Sequence, residues 1–157
     1  MSKKINSISA IWYSIDKVNI EDCTDRVLKF LILLNDYNSH LFGTWFEKAN
    51  TEKEALGKKV EFNPAYIKDA LDKKWDKKFD DIGSRISFWT GNIAENGSGE
   101  ISFKVGGYGH KSFNKNSCVL TLPANQSSED KNRYIELVEL FKNYWKPDKI
   151  LVNGEAV

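Results

Sequence analysis

Read from the N-terminus, the apolar positions first alternate. Ser7-Ile8-Ser9-Ala10-Ile11-Trp12-Tyr13 places every second side chain on one side, the two-residue period of a half-buried strand. The period then changes. Val27, Phe30, Leu31 and Leu34 recur at the spacing of one helical face, and the helix is expected to open near Asp22 or Thr24. Leu28, Ile32 and Leu33 add a second apolar side, which predicts a helix buried on more than one side. Leu41 to Lys48 reads as a short extended segment, and residues 51–56 as a helical turn. Asn63-Pro64 is a helix start, with a capping side chain followed by a proline whose missing N–H is harmless in the first turn. From there Ile67, Leu71, Trp75 and Phe79 recur every four residues and predict a buried stripe, with Lys and Asp on the opposite face.

Three strand candidates follow without a helix between them. They are Arg85 to Thr90, Glu100 to Val105 and Ser117 to Leu122. In the second, Ile101, Phe103 and Val105 share one face while Glu100, Ser102 and Lys104 share the other. The stretch 91–99 contains Asn96-Gly97 and predicts a β-hairpin with a long tip. Pro123 stops the third strand, and Ser128 caps a last helix with the stripe Tyr134, Val138, Phe141 and Trp145, flanked by Ile135 and Leu137. Pro147 ends that helix, and Ile150-Leu151-Val152 forms an edge strand. The order β-α-β-α-β-β-β-α-β predicts an α+β fold: a mainly antiparallel sheet of about five to six strands, with three main helices packed largely on one face. We expect one domain spanning residues 1–157, since no repeat, linker or low-complexity tract interrupts the chain.

Composition narrows the function classes. Five Trp, six Tyr and nine Phe exclude a disordered chain. With 23 basic and 22 acidic residues the net charge is +1, so the basic excess of a nucleic-acid binder and the acidic excess of a nucleic-acid mimic are both missing. The start of the chain lacks the apolar core of a signal peptide, and no apolar run approaches a membrane span. Together with only two cysteines, this leads us to expect a cytoplasmic protein with reduced thiols.

Candidate chemistry is sparse. Cys23, His40, His110 and Cys118 lack the close pairs of a zinc site, so no metal and no cofactor is expected. Cys23 lies near a helix N-terminus, where the dipole favours thiolate, but Cys118 is in phase with Leu120 and Leu122 and should be inert in the core. Gly106-Gly107-Tyr108-Gly109-His110-Lys111-Ser112 resembles a P-loop with His110 interrupting the Gly-Lys step, and reads as a flexible turn between strands. Asp80-Asp81 and Glu129-Asp130 read as surface or terminal charge. Trp89 is out of phase with Phe88, so one of the two faces outward; an outward Trp suits a protein interface, the alternative being that it packs beneath the 91–99 loop.

The string Phe88-Trp89-Thr90-Gly91 stands after a helix carrying Arg26 and Phe30-Leu31, and before a closing helix ending Tyr144-Trp145-Lys146-Pro147-Asp148. This arrangement resembles the immunity protein 52 family, with its Trp-x-Gly motif and late Trp-x-Pro-Asp segment. A Tyr-x-x-x-Cys motif associated with that family is not matched: Asn114 and Asn19 stand four residues before Cys118 and Cys23. The resemblance implies an α+β antidote to a secreted bacterial toxin, including nucleases of restriction-endonuclease type, acting by stoichiometric occlusion and not by turnover. The partner is then a cognate toxin protein, with no direct nucleic-acid or membrane partner. The expected contact residues are the outward sheet positions and adjoining loops: Trp89, Asn92, Glu95, Tyr108 and His110. Two rivals come from other classes. One is a small enzyme using Cys23 with a histidine; the other is a nucleic-acid adaptor using Lys104, Lys111 and Lys115.

Overall fold

The computed structural model describes residues 6–47, 57–90, 99–109, 114–122 and 131–157, with the backbone alone for 131–134. Among them are strand β1 (Ser7–Trp12), helix α1 (Ile20–Tyr37), the one-turn helix α2 (Ser39–Phe42) and strand β2 (Phe46–Glu47). Helix α3 (Pro64–Lys74), a 3-10 turn (Asp80–Ile82), and strands β3 (Ser84–Trp89), β4 (Glu100–Val105) and β5 (Asn116–Thr121) come next. Helix α4 (Lys131–Trp145) and strands β6 (Lys149–Val152) and β7 (Glu155–Ala156) close the chain. All strand pairs are antiparallel, in the order β2-β3-β4-β5-β1-β6-β7. The α+β expectation holds, with seven strands instead of five or six.

The alternation read from the sequence sets the two sides of the sheet. Ile86, Phe103, Cys118, Ala10 and Ile150 lie in one row across it, and Phe88, Ile101, Leu120 and Ile8 in the next; all are buried. The three long helices cover this side. Two of them start at asparagine caps: Asn63, as expected, accepts from Tyr66 N at 2.8 Å with Pro64 in the first turn, and Asn19, which was not expected, from Asp22 N at 2.8 Å. Helix α1 therefore starts at Ile20, earlier than Asp22 or Thr24.

Trp145 is the hub of the core. It stacks on Trp12 of β1, with centroids 4.6 Å apart and planes at 16°, and touches Phe30 of α1 and Phe103 of β4. The Arg26 guanidinium lies 5.3 Å from the Trp12 ring centre and 4.8 Å from that of Trp145, and donates to Trp145 O at 3.4 Å. Tyr144 returns a bond from its hydroxyl to Arg26 O at 2.5 Å. After Trp145 the chain leaves the helix through Lys146 in the left-handed region (φ 47°). Asp148 then takes Tyr13 N at 2.9 Å on its side chain and gives its own N–H to Ile11 O at 2.8 Å. The late Trp-x-Pro-Asp segment is thus a device that docks α4 and starts β6 beside β1.

Four expectations are corrected. Leu28 is buried as predicted, but Ile32 is 39% exposed and Leu33 only half-buried, because the far side of α1 faces outward beside α4. Phe79 is 52% exposed and not part of a helical stripe. Helix α3 stops at Lys74, and the Asp76 carboxylate takes the Lys78 and Phe79 amides (2.9 and 2.7 Å), turning the chain away from the core. Leu41 to Lys48 is not one extended segment: α2 precedes a two-residue strand, and Lys48 lies outside the described residues, as do residues 51–56, the Asn96-Gly97 tip and Ser128. Finally, β6 is not the edge. Asn153 (φ 54°) and Gly154 (φ 81°) make a two-residue turn into β7.

The Arg26 arrangement yields a prediction. Arg26→Ala removes a cation that lies against a pair of stacked indoles, and should lower unfolding free energy by about 1–2 kcal/mol. Arg26→Lys should recover little of it, because an ammonium lacks the planar fork that meets the ring pair and the Trp145 carbonyl together. Urea denaturation of the three proteins measures this; equal midpoints would contradict it.

Candidate functional site

Among the described residues no helix covers the other side of the sheet, and the register gives it three rows. Arg85, Lys104, Ser117, Ile11 and Lys149 form the first. Ser87, Ser102, Val119, Ser9 and Leu151 form the second. Trp89, Glu100, Thr121 and Ser7 form the third. The middle row is short and mostly hydroxylic, and Ser87 and Ser102 are bonded across it at 2.7 Å. Arg85 and Lys149 lie in the first row and the Trp89 indole in the third.

Trp89 is the outward member of its pair. Phe88 is buried, while Trp89 is half-buried, with its Nε1–H on Glu47 O at 3.2 Å. That bond ties β2 to β3 and fixes the indole at the corner of the face. Thr90 closes the hairpin by exchanging bonds with Gly99, N to O at 3.0 Å and Gly99 N to Oγ1 at 3.1 Å. Asn92, Glu95 and His110 lie outside the described residues.

Tyr108 is not beside Trp89. It follows Val105, which pairs with Ser84, whereas Trp89 pairs with Glu100 at the other end of the same two strands. The length of β3 separates them, about 17 Å at the rise of a strand. The hairpin itself carried this signal, since the loop after its second strand must lie opposite its tip. At the Tyr108 end Trp75 leaves α3 and lays its indole against Gly106 (φ 83°), where an added Cβ would sit 2.3 Å from the ring. Trp75 Nε1 donates to Asp80 Oδ1 at 3.0 Å, Tyr108 OH to Asp80 Oδ2 at 3.3 Å, and Lys17 pairs with Asp80 at 2.9 Å. Asn114 bonds Asp81 and the Tyr108 carbonyl, and Asn116 exchanges bonds with both backbone groups of Gly107. The glycine-rich stretch is thus pinned at Gly107 and Tyr108, while His110-Lys111-Ser112 lie outside the described residues. Asp80-Asp81 is a structural anchor and more than surface charge.

The nucleophile and adaptor candidates fare as follows. Cys23 is buried, and burial pushes its thiol up to about 11; burial pushes Cys118 well above its ordinary value. Neither supplies a thiolate near neutral pH. Among the described residues no three His, Cys, Asp or Glu side chains gather as metal ligands. The Lys104 ammonium is turned inward and donates to Ile82 O at 3.0 Å and Lys115 O at 2.8 Å. Its pKa is lowered, first by burial and then by the Arg85 and Lys115 charges. It ties strand ends together, and so is poorly placed to meet phosphate. No helix among the described residues is long and apolar enough to cross a membrane.

Three helices on one side of a seven-stranded antiparallel sheet, with no helix on the other side among the described residues, define a two-layer α+β protein. The chain belongs to the immunity protein 52 family, whose sequence profile matches residues 7–140. It is thereby an immunity protein against a toxin. The match covers Arg26, Phe30-Leu31 and Trp89-Thr90-Gly91, and ends before Trp145-Lys146-Pro147-Asp148. No curated protein matches the chain.

The Asp80 anchor has a pH signature. Its carboxyl is held below the ordinary carboxylate value, first by the hydrogen bond from Lys17. A depressed carboxyl pKa stabilises the fold fully above the unfolded value, about 3.9, and the contribution is lost as pH falls through the lower folded value. Asp80→Asn should therefore unfold at lower urea than the natural protein at pH 7, and the gap should close below about pH 3. A gap that persists in strong acid would contradict the assignment.

Proposed function

We propose that this protein neutralises a cognate secreted toxin, in the cytoplasm, by covering it in a stoichiometric complex through the bare side of the sheet and its adjoining loops. The toxin is a nuclease, as the family resemblance implies, and inhibition proceeds without turnover and without a cofactor. The single observation that carries the reading is the bare sheet side itself. It is a rigid, shallow surface with an aromatic corner, on a scaffold whose two thiols are buried and protonated. Trp89, Asn92, Glu95, Tyr108 and His110 are its contact residues. The distance of about 17 Å between Trp89 and Tyr108 is compatible with one partner, because a standard interface covers roughly 800 Å² on each side. The two then mark opposite borders of a footprint. A border with Arg85 and Lys149, and Glu100 on the opposite border, suit a partner of mixed charge, in keeping with the net charge of +1.

Co-expression with the cognate toxin should restore growth that the toxin alone abolishes. Trp89→Ala should weaken the purified complex by roughly thirtyfold, the loss typical of an aromatic anchor, with far-UV circular dichroism unchanged. Tyr108→Ala should weaken it as well. Unchanged affinity in both variants would remove this side of the sheet as the docking surface.

A further inference from the structure

Glu47 stands where the two sides of the sheet meet. It pairs with Phe88, whose side chain is buried toward the helices, while Phe46 pairs with Trp89, whose side chain points away from them. Directly paired residues share a side of the sheet, so the Glu47 carboxylate lies on the helix side. There it accepts from Tyr66 OH of α3 at 2.5 Å. The carbonyl of the same residue takes the Trp89 indole N–H at 3.2 Å. One residue thus links a helix on the covered side to the aromatic corner on the other.

The inner end of this link is firmly held. Tyr66 lies in the first turn of α3, and its amide is bonded by the Asn63 cap at 2.8 Å. Helix α3 packs on α1 and β3, with Ile67 and Leu71 fully buried. The phenol donates to a carboxylate, a bond about twice as strong as one between neutral groups. Burial, and then the bond to Glu47, hold the phenol above its ordinary pKa, so at neutral pH it is a donor. On the main chain, Glu47 N–H is bonded to Lys58 O at 2.9 Å. The carboxylate is a second point of attachment, and two points limit the turning of the carbonyl that receives the indole. An anchor whose orientation is set before the partner arrives loses less freedom on docking.

We propose that Tyr66 is a positioning residue for toxin binding: acting through Glu47, it presets the Trp89 indole on the opposite side of the sheet. This rests on the docking reading above and deepens it, adding a residue that serves the interface from behind.

Two measurements test the role. In the free protein, the indole N–H resonance of Trp89, assigned by its loss in Trp89→Phe, should move in Tyr66→Phe. That of Trp75, bonded to Asp80 at the other end of the sheet, should stay and serves as the control. With the inactivated cognate toxin domain, Tyr66→Phe should weaken the complex by about fivefold, the worth of one hydrogen bond. In a Trp89→Ala background the same change should alter affinity by less than about twofold, because the group it positions is gone. An unmoved Trp89 resonance, no loss of affinity, or equal losses in both backgrounds would overturn the positioning role and leave the docking reading standing. A Trp89→Ala variant that binds as tightly as the natural protein would bring down the docking reading, and this role with it.

Discussion

The architecture turns on the stacking of Trp145 against Trp12, with Arg26 lying over both rings. That contact joins the last turn of α4 to the first strand and to α1, elements far apart in the chain. A tryptophan core of this kind supplies more burial per residue than aliphatic side chains. It also fixes on which side of the sheet the helices lie. Once α4 is clamped beside β1, with Phe30 and Phe141 edge to face beneath it, the inner rows are sealed and the outer rows are left to solvent.

The proposed docking surface is therefore a remainder, defined by what the core does not cover. Its residues are ordered by the register of buried neighbours: Trp89 faces outward because Phe88 faces inward, and Arg85 because Ile86 does. The polar groups that might have suggested chemistry serve this rigidity. Lys104 joins the ends of two segments, Asn116 grips Gly107, and Asp80 gathers Lys17, Trp75 and Tyr108. A surface held this firmly loses little conformational freedom on binding, which favours tight inhibition.

Much of this was legible in the sequence, and the failures have physical causes. The strands of period two were readable because each has one buried face, and Cys118 was placed in the core by phase with Leu120. Phe79 was misread because a four-residue spacing continues past the point where Asp76 captures the chain in a turn. Ile32 and Leu33 misled because apolar character alone does not say whether a neighbour covers them. The last hairpin was missed although Asn153-Gly154 is the dipeptide its turn demands. Within the site, Trp89 was readable by parity, but the separation of Tyr108 from it required following the hairpin to its other end.

The central claim is inhibition by cover, one molecule per toxin, by a protein with no catalytic part in the outcome. Residual toxin activity measured against the ratio of immunity protein to toxin, at concentrations far above the dissociation constant, tests it directly. The account predicts a straight descent that reaches the baseline at a fixed molar equivalence and does not deepen with longer incubation. Progressive loss of toxin activity at a small fraction of one equivalent would contradict it.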